Sequence, residues 1–361
     1  MSGADDRGVV GGGALAGRDC VRAPGKAMLF GEYAVLEGGT ALVAAVDRYA
    51  TAWLTSPDDG IGDSPFVRAA RAVVLAEFQR RGLSARLSGL RIDSTPLYQG
   101  GVGGRKLGLG SSAAVTVAAV GDWPDLPREA LWRMCQQAHA QAQGTPGSGA
   151  DVAAAIWGGV IRFQAGPEAG GCTVSELRLD PDLAVTLVDS GVSAATAPRL
   201  ERLAALKQDR PERYRRVMDP LLTLAQAVAS QAERQGTIDP AAVVSWNRAL
   251  EALGAAVELP IMTDPLRRIA ACAEAVGGAG KPSGAGGGDL AVCFTARAEA
   301  DRLRQRLLEA GFEPLAVSVG ARGLHRFHDQ PPAPPGARER GPSTQPGGSS
   351  QERAGHADAP R

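Results

Sequence analysis

A glycine-rich segment with a lysine and two serines is the clearest candidate for chemistry in this chain of 361 residues. Residues 106–114 read KLGLGSSAA and run into an alanine-rich stretch that predicts a helix over 112–120. Backbone N–H groups of such a loop, together with the helix N-terminus, form a binding site for an anion. Lys106 adds a full positive charge, and the hydroxyl of Ser111 or Ser112 is placed to reach a phosphate or Mg²⁺.

The residues of this segment alone leave two other interpretations open. The serines also fit N-caps that bind no ligand. The spacing G-x-G-x-x-A matches a dinucleotide-binding fingerprint, although residues 100–105 predict no strand and no βαβ unit frames the motif. The Walker A order of glycine, lysine and serine or threonine is absent from the sequence.

Lysine is rare in this chain and is concentrated near glycines. Of the 39 basic residues only four are lysines, namely Lys26, Lys106, Lys207 and Lys281. Because arginine serves here as the general solubilising cation, a lysine among glycines indicates a compact charge directed at phosphate. Lys26 lies in residues 23–36, APGKAMLFGEYAVL, and Lys281 begins residues 281–289, KPSGAGGGD. Taken singly, Lys26 also fits a surface lysine on a strand, and residues 281–289 also fit a flexible hinge.

One carboxylate has a comparable setting. Residues 147–155, GSGADVAAA, bring Asp151 to the start of a predicted helix. An acid at that position either caps the helix or acts on a ligand, and the residues alone do not decide between the two. His139, which shares the preceding predicted helix with Met134 and Cys135, is interpreted as structural.

The elements that must position these residues alternate along the chain. β-prone runs predict strands at 40–46, 49–54, 183–188, 289–294 and 315–319. Helical spacing of apolar residues predicts helices over 131–142, over 266–273 after a cap at Thr263 or Asp264, over 298–310, and through much of 198–259. Strands and helices intermixed in both halves indicate an α+β fold rather than a doubly wound sheet.

Composition argues against several functional classes. Lys and Arg number 39 and Asp and Glu also 39, so no overall charge attracts the chain to nucleic acid or to an anionic membrane. The longest apolar run without a charge, 107–121, is shorter than the ~18–20 residues of a membrane helix. Five scattered cysteines without a C-x-x-C pair argue against a disulfide framework or a zinc site and indicate a reducing cytoplasm. The length predicts two domains, with a flexible leader at 1–19 and a disordered Pro/Gly-rich tail at 329–361.

Three of the motifs, taken in order, resemble the GHMP kinase superfamily. PGKxxLxGEY, GLGSSAA and KPSGAGGGD follow each other as in that superfamily, and the resemblance spans residues 22 to about 320. The resemblance implies the GHMP kinase fold. Its N-terminal domain, at 20–190, would be like domain 2 of ribosomal protein S5 and bind ATP, and its C-terminal domain, at 191–328, would be ferredoxin-like.

Within the superfamily, the sequence is most similar to the phosphomevalonate kinase family. The similar features are residues 138–144, AHAQAQG, the following GSGADVAAA at 147–155, Tyr33 after Gly-Glu, and Asp289 at the end of the third motif. Mevalonate kinases place a metal-binding glutamate shortly before the catalytic aspartate. The matching residues 139–143 contain no acid here, which is a departure from that pattern.

The resemblance also implies roles for individual residues. Lys26 and Asp151 would line the reaction centre. The residues implied to bind the ATP phosphates are Lys106, Gly108, Leu109, Gly110, Ser111, Ser112 and Ala113, with Ser111 or Ser112 in contact with Mg²⁺. Those implied to bind the acceptor are Tyr33, Ser148, Lys281, Ser283, Gly284, Ala285, Gly286 and Gly287.

The implied activity is ATP-dependent phosphorylation of 5-phosphomevalonate to 5-diphosphomevalonate, with Mg²⁺, in the mevalonate route to isoprenoids, by a monomer or homodimer. The alternatives are mevalonate or another small acceptor, and a catalytically silent sensor on the same fold.

A phosphomonoester has a second pKa of about 6 and needs no strong base, so Asp151 would then orient Lys26 or the metal, or take a residual proton. We expect the acceptor's charge to be met by some of Arg22, Arg48, Arg105, Arg199 and Arg322. Residues 189–199 predict either a substrate-binding loop or a simple strand-to-helix turn.

Overall fold

The computed structural model describes residues 19–55, 64–83, 89–100, 104–145, 147–166, 171–194 and 196–328. The predicted tail at 329–361 and residues 1–18 of the predicted leader lie outside the described residues. The strands, in chain order, are β1 (Asp19–Phe30), β2 (Thr40–Thr55), β3 (Gly89–Asp93), β4 (Tyr98–Gln99), β5 (Arg105–Lys106), β6 (Val160–Ala165), β7 (Cys172–Leu177), β8 (Leu183–Asp189), β9 (Ala279–Ser283), β10 (Leu290–Ala296), β11 (Glu313–Pro314) and β12 (His325–His328). The helices are α1 (Pro65–Arg80), α2 (Ser111–Val120), α3 (Arg128–Gln143), α4 (Ala150–Trp157), α5 (Ala197–Asp209), α6 (Pro211–Gln235), α7 (Pro240–Ala256), α8 (Asp264–Glu274) and α9 (Ala300–Glu309). This mixture confirms the α+β class.

The first sheet has the strand order β12-β1-β2-β6-β7, with β3 also paired to β2, and its described strands are antiparallel. The two runs predicted at 40–46 and 49–54 form the single strand β2. The polar residues between the runs do not end the strand because its ladder with β1 continues past an irregularity between Pro24 and Gly25.

Helix α2 lies against β1 and β2, and it is buried nearly all round. Every residue of α2 except Ser112 and Ala119 is buried. Alanine and valine favour this position because their small side chains let a helix approach a sheet closely, and a helix that is apolar on all sides is stable only in a core. The start of α2 is thereby fixed in the interior of the molecule.

The second sheet has the order β11-β8-β10-β9. The interpretation of residues 281–289 as a flexible hinge does not hold for their first residues, because Lys281 pairs with Val292 and Pro282 with Ala291 in the antiparallel ladder of β9 and β10. Proline is tolerated there because β9 is an edge strand of this sheet among the described residues.

The predicted strand at 315–319 is also wrong. The Leu315 N–H donates to the carbonyl of Leu187 in β8 (2.8 Å), whereas the Gly320 N–H donates to Ala45 in β2 (2.8 Å). The segment crosses from one sheet to the other, so its β-prone side chains, which are only partly buried, form no ladder of their own.

Both sheets share one core. Phe30 at the end of β1 packs against Trp246 of α7 and Phe294 of β10, with ring centroids 5.0 and 6.5 Å away. The predicted limit between the two domains is residue 190. Strand β8 precedes that limit but pairs in the second sheet, and β12 follows it but pairs in the first sheet. The predicted domain limits therefore stay a prediction. None of the described helices has the length and apolar character of a membrane span.

Candidate active site

A cavity of about 430 Å³ lies where the end of β1, the start of α2, the start of α4 and the segment after β9 meet. Lys26, Lys106 and Asp151 all line this cavity. These residues are far apart in the sequence, so the fold has brought three separately predicted motifs to one place.

The wall at α2 is the glycine loop of residues 107–110. Leu107 and Leu109 are buried and anchor the loop, while Gly108 and Gly110 adopt φ values of 72° and 71° that favour glycine. The loop thus presents backbone to the cavity immediately before Ser111 begins α2. This is the geometry of an anion site at a helix N-terminus.

Lys26 is held against this loop by two contacts. Its backbone N–H donates to the carbonyl of Leu109 (2.8 Å). Its side chain crosses Gly110 so closely that a Cβ at that glycine would lie 2.9 Å from Lys26 Cγ. Gly110 is therefore required both for the turn and for the passage of the lysine into the cavity.

Asp151 lies in the first turn of α4, after the N-cap Gly149. It is not the N-cap, which removes the simplest structural interpretation of this acid. Its Oδ1 accepts a hydrogen bond from the N–H of Val152 (2.9 Å), and the positive end of the helix dipole stabilises its negative charge. Ser148, just before the helix, also lines the cavity.

The hydroxyl of Ser112 is shared with a histidine. His139 of α3 is buried, lines the cavity, and has its Nε2 3.1 Å from Ser112 Oγ. Its ring also lies 5.5 Å from that of Phe66. His139 therefore packs beside an aromatic ring and also contacts the first turn of α2, and its structural role stays a prediction.

The opposite wall joins the end of β1 and the residues after it to the end of β9 and the residues after it. The Tyr33 hydroxyl donates to the carbonyl of Ala285 (2.6 Å), and the Met28 N–H donates to Ser283 Oγ (3.0 Å). Burial raises the pKa of Tyr33, so its phenol remains a neutral donor. Tyr33 has a φ of 64°, which is uncommon for a residue with a side chain and indicates local strain held by its surroundings.

Asp289 fixes the loop that follows β8. Its N–H donates to the carbonyl of Val192 (2.6 Å), and its Oδ1 accepts from the N–H of Ala194 (3.2 Å). Burial raises the pKa of its carboxyl, against the opposing effects of the Ala194 amide and of nearby cations. Ser193, Ala194 and Asp289 line the cavity, which places part of the segment 189–199 at the site.

Lys281 is placed differently from the other predicted residues. Its side chain is fully buried and donates from Nζ to Glu32 Oε1 (2.5 Å) and to its neighbour's carbonyl, that of Pro282 (2.6 Å). Burial lowers its pKa, which Glu32 opposes and the charge of Lys26 reinforces. Lys281 is not among the described residues that line the cavity, whereas Glu32 is.

The candidate arginines do not converge on the cavity. Among the described lining residues there is no arginine, so none of Arg22, Arg48, Arg105, Arg199 and Arg322 forms part of the wall. Arg48 donates to the carbonyl of Pro96 (3.2 Å) and Arg199 to that of Pro260 (3.2 Å). Arg199 is nevertheless close enough to oppose the rise in the pKa of Tyr33.

Comparison with known proteins agrees with the motifs. The family model of the GHMP kinases N terminal domain matches residues 66–159, and that of the GHMP kinases C terminal matches residues 238–313. The phosphomevalonate kinase of Streptomyces sp. (strain CL190) is 30% identical over 370 residues, covering 84% of this chain and 97% of that protein. The chain belongs to the GHMP kinases.

Other members of the family show how wide the similarity is. A mevalonate kinase of Aeropyrum pernix is 28% identical over 337 residues, covering 83% of this chain and 96% of that protein. The solved structure of the Streptococcus pneumoniae phosphomevalonate kinase in complex with phosphomevalonate and AMPPNP has a TM-score of 0.70 at 21% identity, covering 83% of this chain and 99% of that chain. At that identity the likeness shows the fold alone, which is the GHMP kinase fold expected from the motifs.

In this GHMP kinase, thirteen of the predicted site residues line one cavity. They are Lys26, Tyr33, Lys106, Gly108, Leu109, Gly110, Ser111, Ser112, Ser148, Asp151, Ser283, Gly284 and Ala285. Ala113, Lys281, Gly286 and Gly287 lie outside the described lining. A Cβ at Gly286 would clash with Ile261, and a Cβ at Gly287 would overlap the Arg199 guanidinium.

Several lining residues of this GHMP kinase were not predicted. The most informative is Glu32, which belongs to the quoted GEY motif and is buried beside the cavity. The sequence feature that could have identified Glu32 is its position between a glycine and a tyrosine after an apolar strand. Leu36 and Leu200 give the cavity an apolar side that no spacing in the sequence indicated.

Proposed function

We propose that this GHMP kinase transfers the γ-phosphate of ATP to 5-phosphomevalonate and forms 5-diphosphomevalonate. The observation that carries the proposal is the meeting of Lys26, Lys106, Asp151 and the glycine loop at one cavity. The relative that is 30% identical over 97% of its own length is a phosphomevalonate kinase, which supports this choice of acceptor.

The nucleotide would lie with its phosphates at the start of α2. Residues 108–112 line the cavity at the positive end of the α2 dipole, so their N–H groups would bind the phosphates, and Lys106 would add its charge. Phosphoryl transfer needs positioning and charge neutralisation more than covalent help, and these are what the loop and the lysines supply.

The acceptor would lie between Lys26 and the wall of Tyr33 and Ala285. An oxygen of its phosphate attacks the γ-phosphorus while the bond from that phosphorus to the β,γ-bridging oxygen of ATP breaks, which releases ADP. Lys26 would neutralise the charge that develops between the two phosphates. Since the acceptor is largely dianionic near neutral pH, Asp151 acts mainly by orienting Lys26 or the metal.

Mg²⁺ fits the donors at this site as a partial shell. Magnesium usually takes one or two protein oxygens and completes its octahedron with water and substrate phosphates. Asp151 and Ser111 line the cavity, and Ser112 shares its hydroxyl with His139, so Asp151 and Ser111 would hold the ion. When bound, Mg²⁺ neutralises phosphate charge. No cluster of three or more acidic, histidine or cysteine ligands occurs among the described residues, so ATP itself would complete the shell.

Mevalonate is the second acceptor that the comparisons favour, because a mevalonate kinase is 28% identical over 96% of its length. A coupled ADP-release assay with phosphomevalonate, mevalonate and homoserine separates the candidates. We expect turnover with phosphomevalonate at least tenfold above that with the other two. Turnover with mevalonate alone replaces this proposal, and no turnover with any acceptor favours a silent sensor.

Lys26→Met tests the reaction centre directly. We expect kcat/KM for phosphomevalonate to fall by about 10²–10³-fold, the effect of losing one group that stabilises the transition state. Asp151→Asn should cost less, since a dianionic acceptor needs no strong base. Lys207→Met, which changes a lysine outside the cavity, is the matched control and should leave kcat/KM unchanged. Unchanged turnover in Lys26→Met removes this centre.

A further inference from the structure

We propose that Glu32 and Lys281 form a positioning pair, which holds the acceptor wall at a fixed distance from Lys26. The proposal rests on the proposed function, since it concerns the same cavity. It replaces the expectation that Lys281 binds the acceptor.

The first step is that Lys281 has no access to the cavity. Its side chain is 0% exposed, and its Nζ donates to Glu32 Oε1 and to the carbonyl of Pro282. The same Nζ lies 5.3 Å from the centre of the Phe30 ring. An ammonium enclosed in this way acts on a substrate only through another residue. Glu32 is the partner that lines the cavity.

The second step concerns what Glu32 holds. Its Oε1 also lies 3.4 Å from the N–H of Gly284, the residue that begins the turn after β9. Its Oε2 is buried and has no hydrogen-bond partner among the described residues. The carboxylate therefore depends on Lys281 for compensation of its charge, and it connects that lysine to the acceptor wall.

The third step is that the pair belongs to a row of cross-links. The Met28–Ser283 and Tyr33–Ala285 hydrogen bonds lie on either side of it, and each joins the end of β1 to the residues around the end of β9. Strained backbone such as that of Tyr33 persists only where neighbouring contacts fix it. Lys26 lies on the same strand, so these links determine how far the wall stands from its side chain.

The fourth step is energetic. A buried ion pair can often be replaced by uncharged residues without loss of stability, because desolvation offsets much of the attraction. Folding alone therefore does not require the pair. Its placement between the strand of Lys26 and the acceptor wall is the feature that a positioning role explains.

The test uses the full chain with Glu32→Gln/Lys281→Met as the main variant, because it removes both charges and leaves neither buried alone. Lys207→Met is the matched control, since Lys207 pairs with Glu37 on the same segment but at the surface. Steady-state assays give KM for the acceptor, KM for ATP and kcat. The acceptor is whichever of phosphomevalonate, mevalonate and homoserine the unaltered enzyme phosphorylates, so failure of phosphomevalonate counts against the proposed function alone.

We expect the double variant to raise KM for the acceptor about tenfold, comparable to the loss of one charge-assisted hydrogen bond, with KM for ATP within about twofold. The control should change neither value. An acceptor KM equal to that of the unaltered enzyme overturns the proposal, because it leaves the pair a merely structural role. A similar rise in both KM values also overturns it.

Hydrogen exchange supplies a readout that needs no turnover. In the double variant we expect faster amide exchange at residues 283–288 alone, with protection elsewhere as in the unaltered chain. Unchanged exchange at these residues, or faster exchange throughout the molecule, contradicts a positioning role.

Discussion

Two lysine–glutamate pairs anchor the same short segment of this kinase, and they differ mainly in their contact with water. Glu32 and Lys281 are 2.5 Å apart with side chains 2% and 0% exposed, whereas Glu37 and Lys207 are 2.6 Å apart with side chains 24% and 54% exposed. An exposed pair gains little because water screens it, while a buried pair leaves a costly charge when one partner is lost. Similar distances therefore carry different consequences for stability and function.

The surroundings of the two pairs reinforce this difference. Lys281 is enclosed by Glu32, the Pro282 carbonyl and the Phe30 ring, so its position is determined by tertiary contacts. Lys207 is exposed, extends from α5 toward Glu37, and lies 5.4 Å from the ring of the buried Tyr214. The first pair borders the cavity through Glu32, and the second fastens helix α5 beside the segment that follows β1.

Lys281→Met breaks the buried pair and should have the largest effect on stability. It leaves the Glu32 carboxylate buried without a counter-charge, so we expect the free energy of unfolding to fall by about 3–5 kcal/mol. Urea titration of the full chain measures this. The double variant with Glu32→Gln should recover most of the loss, and a single variant as stable as the unaltered chain would show that Glu32 gains water instead.

The two glycines that flank the segment sharpen the comparison. Gly31 and Gly38 have φ values of 94° and 73°, but a Cβ at Gly31 would lie 2.4 Å from the Thr40 carbonyl oxygen whereas a Cβ at Gly38 meets nothing within 4 Å. We expect Gly31→Ala to cost about 3 kcal/mol, from backbone strain plus overpacking, and Gly38→Ala about 1 kcal/mol from strain alone. Thermal unfolding of both variants measures the difference, and equal losses would contradict the clash at Gly31.

Lys207→Met breaks the exposed pair and should have the smallest effect. We expect a loss of about 0–1 kcal/mol in the free energy of unfolding, because solvent already competes for both charges. The loss should shrink further as salt is raised toward 1 M, where the screening length is about 3 Å. Urea titrations at low and high salt test this, and a loss above about 2 kcal/mol would make the two pairs alike.

Much of the site was predictable because its local chemistry is written in short motifs. The glycines and serines of residues 107–112 predicted a helix start at residue 112, and α2 begins one residue earlier, at Ser111. The helix before Gly144 was predicted from apolar spacing, and α3 ends at that glycine. Local spacing is sufficient in these places because caps, turns and helix faces depend on residues a few positions apart.

Other features were not predictable because they depend on partners far away in the sequence. Lys281 is followed by proline and glycines, which suggested a loop, yet its pairing with Val292 makes it part of a strand. Leu315 to Val319 has the residues of a strand but divides its hydrogen bonds between two sheets. Pairing across the fold decided both cases.

The sequence by itself determined the glycine loop before α2 and the superfamily, because backbone conformation at these motifs is a local property. Only the tertiary structure decided which lysine enters the cavity and which is enclosed. Lys26 extends across Gly110 into the cavity, whereas Lys281 is enclosed against Glu32. The physical reason is desolvation. An ammonium that loses its water must be compensated by the charges and rings packed around it, and those partners then hold it in place.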